Sequence, residues 1–122
     1  MLSIDYTSAY STPSLDKLVR TFVYDRQGKG SFTVGDEFTA NAPIRFETAI
    51  TTQANWKIID DTHLLLTTGT EQMTVTIEAS GKVAFTSETI EVNSPAYTRI
   101  GISLKEQSKD GYIRLTMRTK QL

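Results

Sequence analysis

Histidine occurs once, at His63, two residues after the acidic pair Asp60-Asp61. A Ser-His-Asp apparatus needs a histidine base beside an activated serine, and no serine here carries the flanking glycines of a nucleophile elbow. Asp60, Asp61 and His63 offer a mixed oxygen and nitrogen set that could hold a metal ion. Three neighbouring turn residues seldom converge on one ion, so His63 reads as a structural or solvated residue. Asp36-Glu37 and Glu88/Glu91 supply carboxylates, but a glycosidase pair must face across a cleft, which sequence spacing does not show. Gly28-Lys29-Gly30-Ser31 superficially looks like a phosphate loop. The true motif has four residues between its first glycine and the Gly-Lys-Ser/Thr, and a helix after it. A strand follows here, so the segment reads as a hairpin turn. The chain thus reads as non-enzymatic, with no cofactor.

From Arg99 onward six basic residues (Arg99, Lys105, Lys109, Arg114, Arg118, Lys120) stand against Glu106 and Asp110. Tyr112, Arg114, Thr116 and Arg118 alternate onto one face of the last apolar-periodic segment. Arginine beside an aromatic can meet single-stranded nucleic acid or an acidic protein. The formal net charge of −1 gives no general pull toward nucleic acid. These four residues read as a solvated strand face and, if the chain is a binding companion, as the surface expected to meet a protein partner. The terminal strand Tyr112–Lys120 is expected at a sheet edge, where free N–H and C=O groups can pair with another chain.

The elements that would position these residues are strands. The chain has 122 residues, enough for one domain over 1–122, and no cysteine. No apolar run approaches the roughly 20 residues of a membrane helix, and MLSIDYTSAYSTPS lacks the basic and apolar regions of a signal peptide. Nineteen threonines suit the solvent side of a half-exposed pleated sheet. Residues 1–14 read as irregular, with Thr12-Pro13 able to open one short helix continued through Leu18. Strands are expected at Val19–Tyr24, Ser31–Val34, Ile44–Ile50, Asn55–Ile59, Leu64–Thr68, Gln72–Ala79, from Val83 onward, within Ala96–Ser108 and at Tyr112–Lys120. Bulges are expected near Gly35 and Ser87-Glu88, and Ser80-Gly81 reads as a hairpin turn. The expected fold is all-β and antiparallel, with eight or nine short strands in a sandwich or a lipocalin-like barrel. Its expected core is Phe22, Phe32, Val34, Ile44, Phe46, Trp56, Ile58, Leu64, Leu66, Met73, Val75, Ile77, Phe85, Ile113, Leu115 and Met117.

The stretch Ala54-Asn55-Trp56-Lys57-Ile58-Ile59-Asp60-Asp61-Thr62-His63-Leu64-Leu65-Leu66 resembles the G-x-W-x-I-x-x-x-x-L-L segment of ToxS-like periplasmic proteins. The alternation from Ile44 to Thr52 and the strand entry Gly28–Phe32 are similar to ToxS and FidL-like proteins. Ala54 stands where that pattern has glycine, and the family's N-terminal membrane helix has no counterpart in these residues. The resemblance implies a β-rich domain on the periplasmic side of the inner membrane. It also implies assembly with, and stabilisation of, a membrane-anchored transcription activator, with a small hydrophobic ligand in some members. The alternative function is a viral or phage structural β-sandwich that self-assembles as a capsid, spike or tail component.

Overall fold

In a computed structural model, which describes residues 2–5, 14–26, 30–91 and 96–121, the chain is all-β. Among the described residues no helix occurs. The strands are β1 (Leu2–Asp5), β2 (Leu15–Asp25), β3 (Ser31–Ile44), β4 (Glu47–Thr52), β5 (Asn55–Asp60), β6 (His63–Thr67), β7 (Glu71–Ala79), β8 (Val83–Ile90), β9 (Tyr97–Leu104) and β10 (Ser108–Gln121). They form two antiparallel sheets, one ordered β1-β2-β3-β10-β7-β6-β5 and one ordered β4-β9-β8. The sheets do not close into a barrel, so the sandwich alternative holds.

Alternation explains the core. Paired residues share a face, and the inward rows of the large sheet run Leu18/Phe38/Gly111, then Phe22/Val34/Leu115/Ile77, then Phe32/Met117/Val75/Leu64. The small sheet answers with Phe46, Val83, Ile100, Ile102 and Leu104. Phe38 and Phe46 stack across the sheets with ring centroids 4.7 Å apart. Gly111 makes room for that stack, because a Cβ there would sit 3.1 Å from the Phe38 ring. Gly30 closes the β2–β3 loop with φ +86, a conformation glycine adopts without strain.

Several expected features are corrected. Leu2–Asp5 pairs with β2 as a strand inside the segment read as irregular. Leu15–Leu18 is strand rather than helix, because Leu18 fills the core opposite Phe38; Thr12-Pro13 lies outside the described residues. No bulge forms at Gly35 or at Ser87-Glu88, where both ladders stay in register. Ile44–Ile50 is not one strand: β3 ends at Ile44 and β4 belongs to the other sheet. Ser80-Gly81 likewise carries the chain between sheets instead of closing a hairpin. The Ser80 amide donates to the Tyr112 carbonyl (3.0 Å) and the Tyr112 amide to Ser80 Oγ (3.0 Å), so the bond that a hairpin would make goes to β10.

The expected core is right for Phe46, Leu64, Leu66, Val75, Ile77, Ile113 and Leu115, and omits Leu18, Phe38, Ile100, Ile102 and Leu104. Ile44, Trp56, Met73, Phe85 and Met117 pack against its rim. Phe32 and Ile58 are exposed, and Phe22 and Val34 only half-buried.

The largest correction concerns β10. It pairs with β3 on one side and β7 on the other and is the middle strand of the large sheet. Among the described residues the edges are β1 and β5 in the large sheet, β4 and β8 in the small one.

β4 crosses the large sheet on a diagonal. It starts where Phe46 stacks on Phe38 of β3, and two residues after its end the chain enters β5 at the far edge. β3 and β5 are four strand spacings apart, about 19 Å, and the extended chain from Phe46 to Asn55 can reach about 30 Å, enough for that offset and for displacement along the strands. One corner of the large sheet, at the β2–β3 hairpin end, is left beside this diagonal.

Two outcomes follow, both measured by denaturant unfolding. Phe46→Ala is expected to cost about 3–5 kcal/mol, and Trp56→Ala less, because Trp56 sits at the rim. Thr116→Pro is expected to cost about 3 kcal/mol or more, because Thr116 lies between Thr33 and Thr76 in the middle of the sheet. A Thr116→Pro protein that keeps wild-type stability would contradict the central position of β10.

Candidate functional site

The four residues expected to meet a partner do lie together. Tyr112, Arg114, Thr116 and Arg118 project from β10 onto the outer face of the large sheet, with Arg114 and Arg118 exposed. Arg114 Nη1 donates to Glu78 Oε2 at 3.1 Å, and its guanidinium stands 5.5 Å from the Tyr112 ring centroid. Thr116 Oγ1 lies 3.2 Å from Thr33 Oγ1. Gly35, paired with Arg114, leaves a shallow depression of about 460 Å³, lined among others by Thr21, Thr33, Glu37, Tyr112 and Arg114. The four residues cannot recruit a strand by edge pairing, since both sides of β10 are occupied.

The other candidates are mostly dispersed. Asp36 and Glu37 point to opposite faces, one buried and one exposed. Glu88 stands opposite Arg99, while Arg99 bonds Glu47 across the outer face of the small sheet at 3.1 Å. The basic residues from Arg99 onward are therefore split between two sheets; the side chain of Lys120 lies outside the described set. Asp60 and His63 do come together. The Thr62 amide donates to Asp60 Oδ1 at 2.9 Å, and His63 Nδ1 lies 2.8 Å from the same oxygen. The Thr62 amide above all, then the His63 ring, holds the Asp60 carboxyl below the usual carboxylate range. A depressed carboxyl supports the turn above its unfolded-state value, and that support is lost as pH falls through the folded value. Among the described residues no three His, Asp or Glu side chains group as metal ligands.

The signals that sequence reasoning missed are on the inner face. Asp36, 2% exposed, sits among apolar neighbours and receives two hydrogen bonds from Arg20, from Nε at 2.6 Å and from Nη2 at 2.8 Å. Burying a carboxylate is costly unless it is paired and hydrogen-bonded in this way. Arg20 borders β4: with Leu15 it shares a depression with Phe46, Glu47, Thr48, Ala49 and Arg99. Beyond this pair toward the hairpin lies the corner that the small sheet does not cover. Phe22 and Phe32 are tilted against each other with centroids 6.0 Å apart. Val34 and Met117 adjoin them in register, Phe32 is 37% exposed and Tyr24 62% exposed. The corner goes with a mismatch in strand length, β2 and β3 having 11 and 14 residues and β4 six.

No family model matches the chain, and no curated protein matches it. The ToxS-like resemblance therefore rests on residues 54–66, the alternation from Ile44 to Thr52 and the Gly28–Phe32 strand entry alone.

The Arg20–Asp36 pair gives a direct test. Asp36→Ala is expected to destabilise the fold by about 2–4 kcal/mol, through loss of the charged bonds and an arginine left half-buried without its carboxylate. The double variant Arg20→Met/Asp36→Leu is expected to recover much of that loss in urea unfolding. Equal stability of Asp36→Ala and wild type would show that the pair does not hold the two long strands.

Proposed function

We propose that this chain is a non-enzymatic interaction domain that docks another protein on the inner-face corner formed by Phe22, Tyr24, Phe32, Val34 and Met117. The observation that carries this reading is the exposure of the adjoining aromatics Phe32 and Tyr24, beside half-buried Phe22, Val34 and Met117, on a sheet face whose central rows at Val75, Ile77, Ile113 and Leu115 are sealed. Adjoining exposed aromatics on a folded domain mark a docking surface, because leaving them in water forgoes their burial energy. The polar outer face, with Tyr112, Arg114, Thr116 and Arg118, would flank rather than form that contact.

In its more specific form the partner is the sensory domain of a membrane-anchored transcription activator, met on the periplasmic side. The support for this form is the Ala54–Leu66 pattern described above. A small hydrophobic ligand would have to share the same corner, since the sheets enclose no barrel lumen. The second reading, a viral or phage structural module, is favoured by the open two-sheet sandwich, and its partner would be another copy.

Sedimentation of the chain alone, and mixed with the purified products of its neighbouring genes, tests the proposal. The expected outcome is a complex with one of them, or with a second copy, that Phe32→Asp abolishes while its melting temperature stays near wild type. A monomer that ignores every neighbour at all concentrations would contradict it.

A further inference from the structure

We infer that the occupant of this corner is an extended strand of another protein, added to the open edge of β4. The inference rests on the docking reading above and specifies its geometry.

The hydrogen-bond phase of the small sheet shows which way β4 points its backbone. The Leu104 amide donates to the Phe46 carbonyl at 2.9 Å, one step beyond the Glu47–Ser103 pair. Bonded and non-bonded pairs alternate in an antiparallel ladder. Phe46, Thr48, Ile50 and Thr52 therefore bond β9, and the N–H and C=O groups of Glu47, Ala49 and Thr51 point away from it. The other side of β9 agrees: the Lys105 amide donates to the Lys82 carbonyl at 2.8 Å, which assigns Ser103, Gly101 and Arg99 to β8.

The outward groups of Glu47, Ala49 and Thr51 are aimed over the uncovered part of the large sheet. β4 sits above β3 at its start, with Arg20 of β2 at its flank, and recedes toward β5. The exposed corner opens on the side it leaves behind. A strand laid beside β4 at about 4.8 Å would extend the small sheet and rest one face on Phe22, Val34, Phe32 and Met117. Both unmet requirements, backbone pairing and apolar cover, are satisfied by one extended segment with apolar residues at alternate positions. A helix or a lipid chain would cover the aromatics and leave the β4 backbone unpaired. A second whole copy joined through β4 would lay its own large sheet in the same layer as the uncovered corner of the first, whereas a single extended strand needs only the space beside β4.

The probe is a displayed library of random dodecapeptides selected on the intact chain, with bound sequences resynthesised and titrated. Selected peptides are expected to carry apolar residues at every second position. They are expected to bind Ala49→Pro about tenfold or more weakly, because proline removes the outward amide and leaves the β9 bonds in place. Phe32→Asp is expected to weaken them to a similar degree. Thermal melts of both variants check the fold. If Ala49→Pro does not fold, the same reading is taken from N-methylation of the selected peptide at alternate residues, which should weaken binding with a period of two. Three results would overturn the inference: no peptide selected, peptides without alternation, or binding indifferent to Ala49→Pro and to N-methylation. Loss with Phe32→Asp but not with Ala49→Pro would retain the docking surface and reject the strand. Concentration-dependent dimers lost in Phe32→Asp would assign the corner to a second copy.

Discussion

The large sheet is longer and wider than the sheet that covers it, and the main features of the molecule follow from that mismatch. Where β4, β9 and β8 lie over it, the inward rows are sealed by Ile100, Ile102, Leu104 and the Phe38–Phe46 stack. At the margin of this cover stands Asp36, held by two bonds from Arg20. An apolar residue there would extend the core; an unpaired carboxylate would oppose folding. The ion pair therefore marks where the dry interior gives way to the open corner. Past it, β2 and β3 run on between β1 and β10 to the hairpin end, and their inward aromatics there meet water.

The placement of β10 fixes the topology. The last strand of the chain inserts between β3 and β7 and pairs with both over most of its length. The large sheet is thus completed only when residues distant in sequence come together, which makes the fold rich in non-local pairing and slow to form on general grounds. The same insertion leaves β4, the short strand that leads away from β3, as an edge beside the open corner. Assembly of the core and exposure of the candidate docking surface are consequences of one arrangement.

Much of the local structure is legible in the residues. Alternation locates the strands at Gln72–Ala79 and Tyr112–Lys120, and it separates Tyr112, Arg114, Thr116 and Arg118 from Ile113, Leu115 and Met117. The bond made by Asp60 to the Thr62 amide is what the Asp-Asp-Thr sequence implies. Sheet membership is not legible this way. Ser80-Gly81 has the composition of a hairpin turn, and only the capture of the Ser80 amide by Tyr112 sends the chain to the other sheet. Phe22, Phe32 and Val34 carry the same periodicity as true core residues. Whether they are buried depends on what lies opposite, and that is set by the diagonal of β4. Arg20 and Asp36 are sixteen residues apart and interrupt the apolar pattern of their strands, so their pairing follows only from the β2–β3 register.

The central claim is that β4 is an open edge over an uncovered apolar corner. Native-state hydrogen exchange, read amide by amide along Glu47–Thr52, tests it most directly. The account predicts a period of two: slow exchange at Thr48 and Ile50, whose amides bond β9, and fast exchange at Glu47, Ala49 and Thr51, whose amides face away. Uniform protection along β4 would mean that its outward side is already paired, and it would contradict the account.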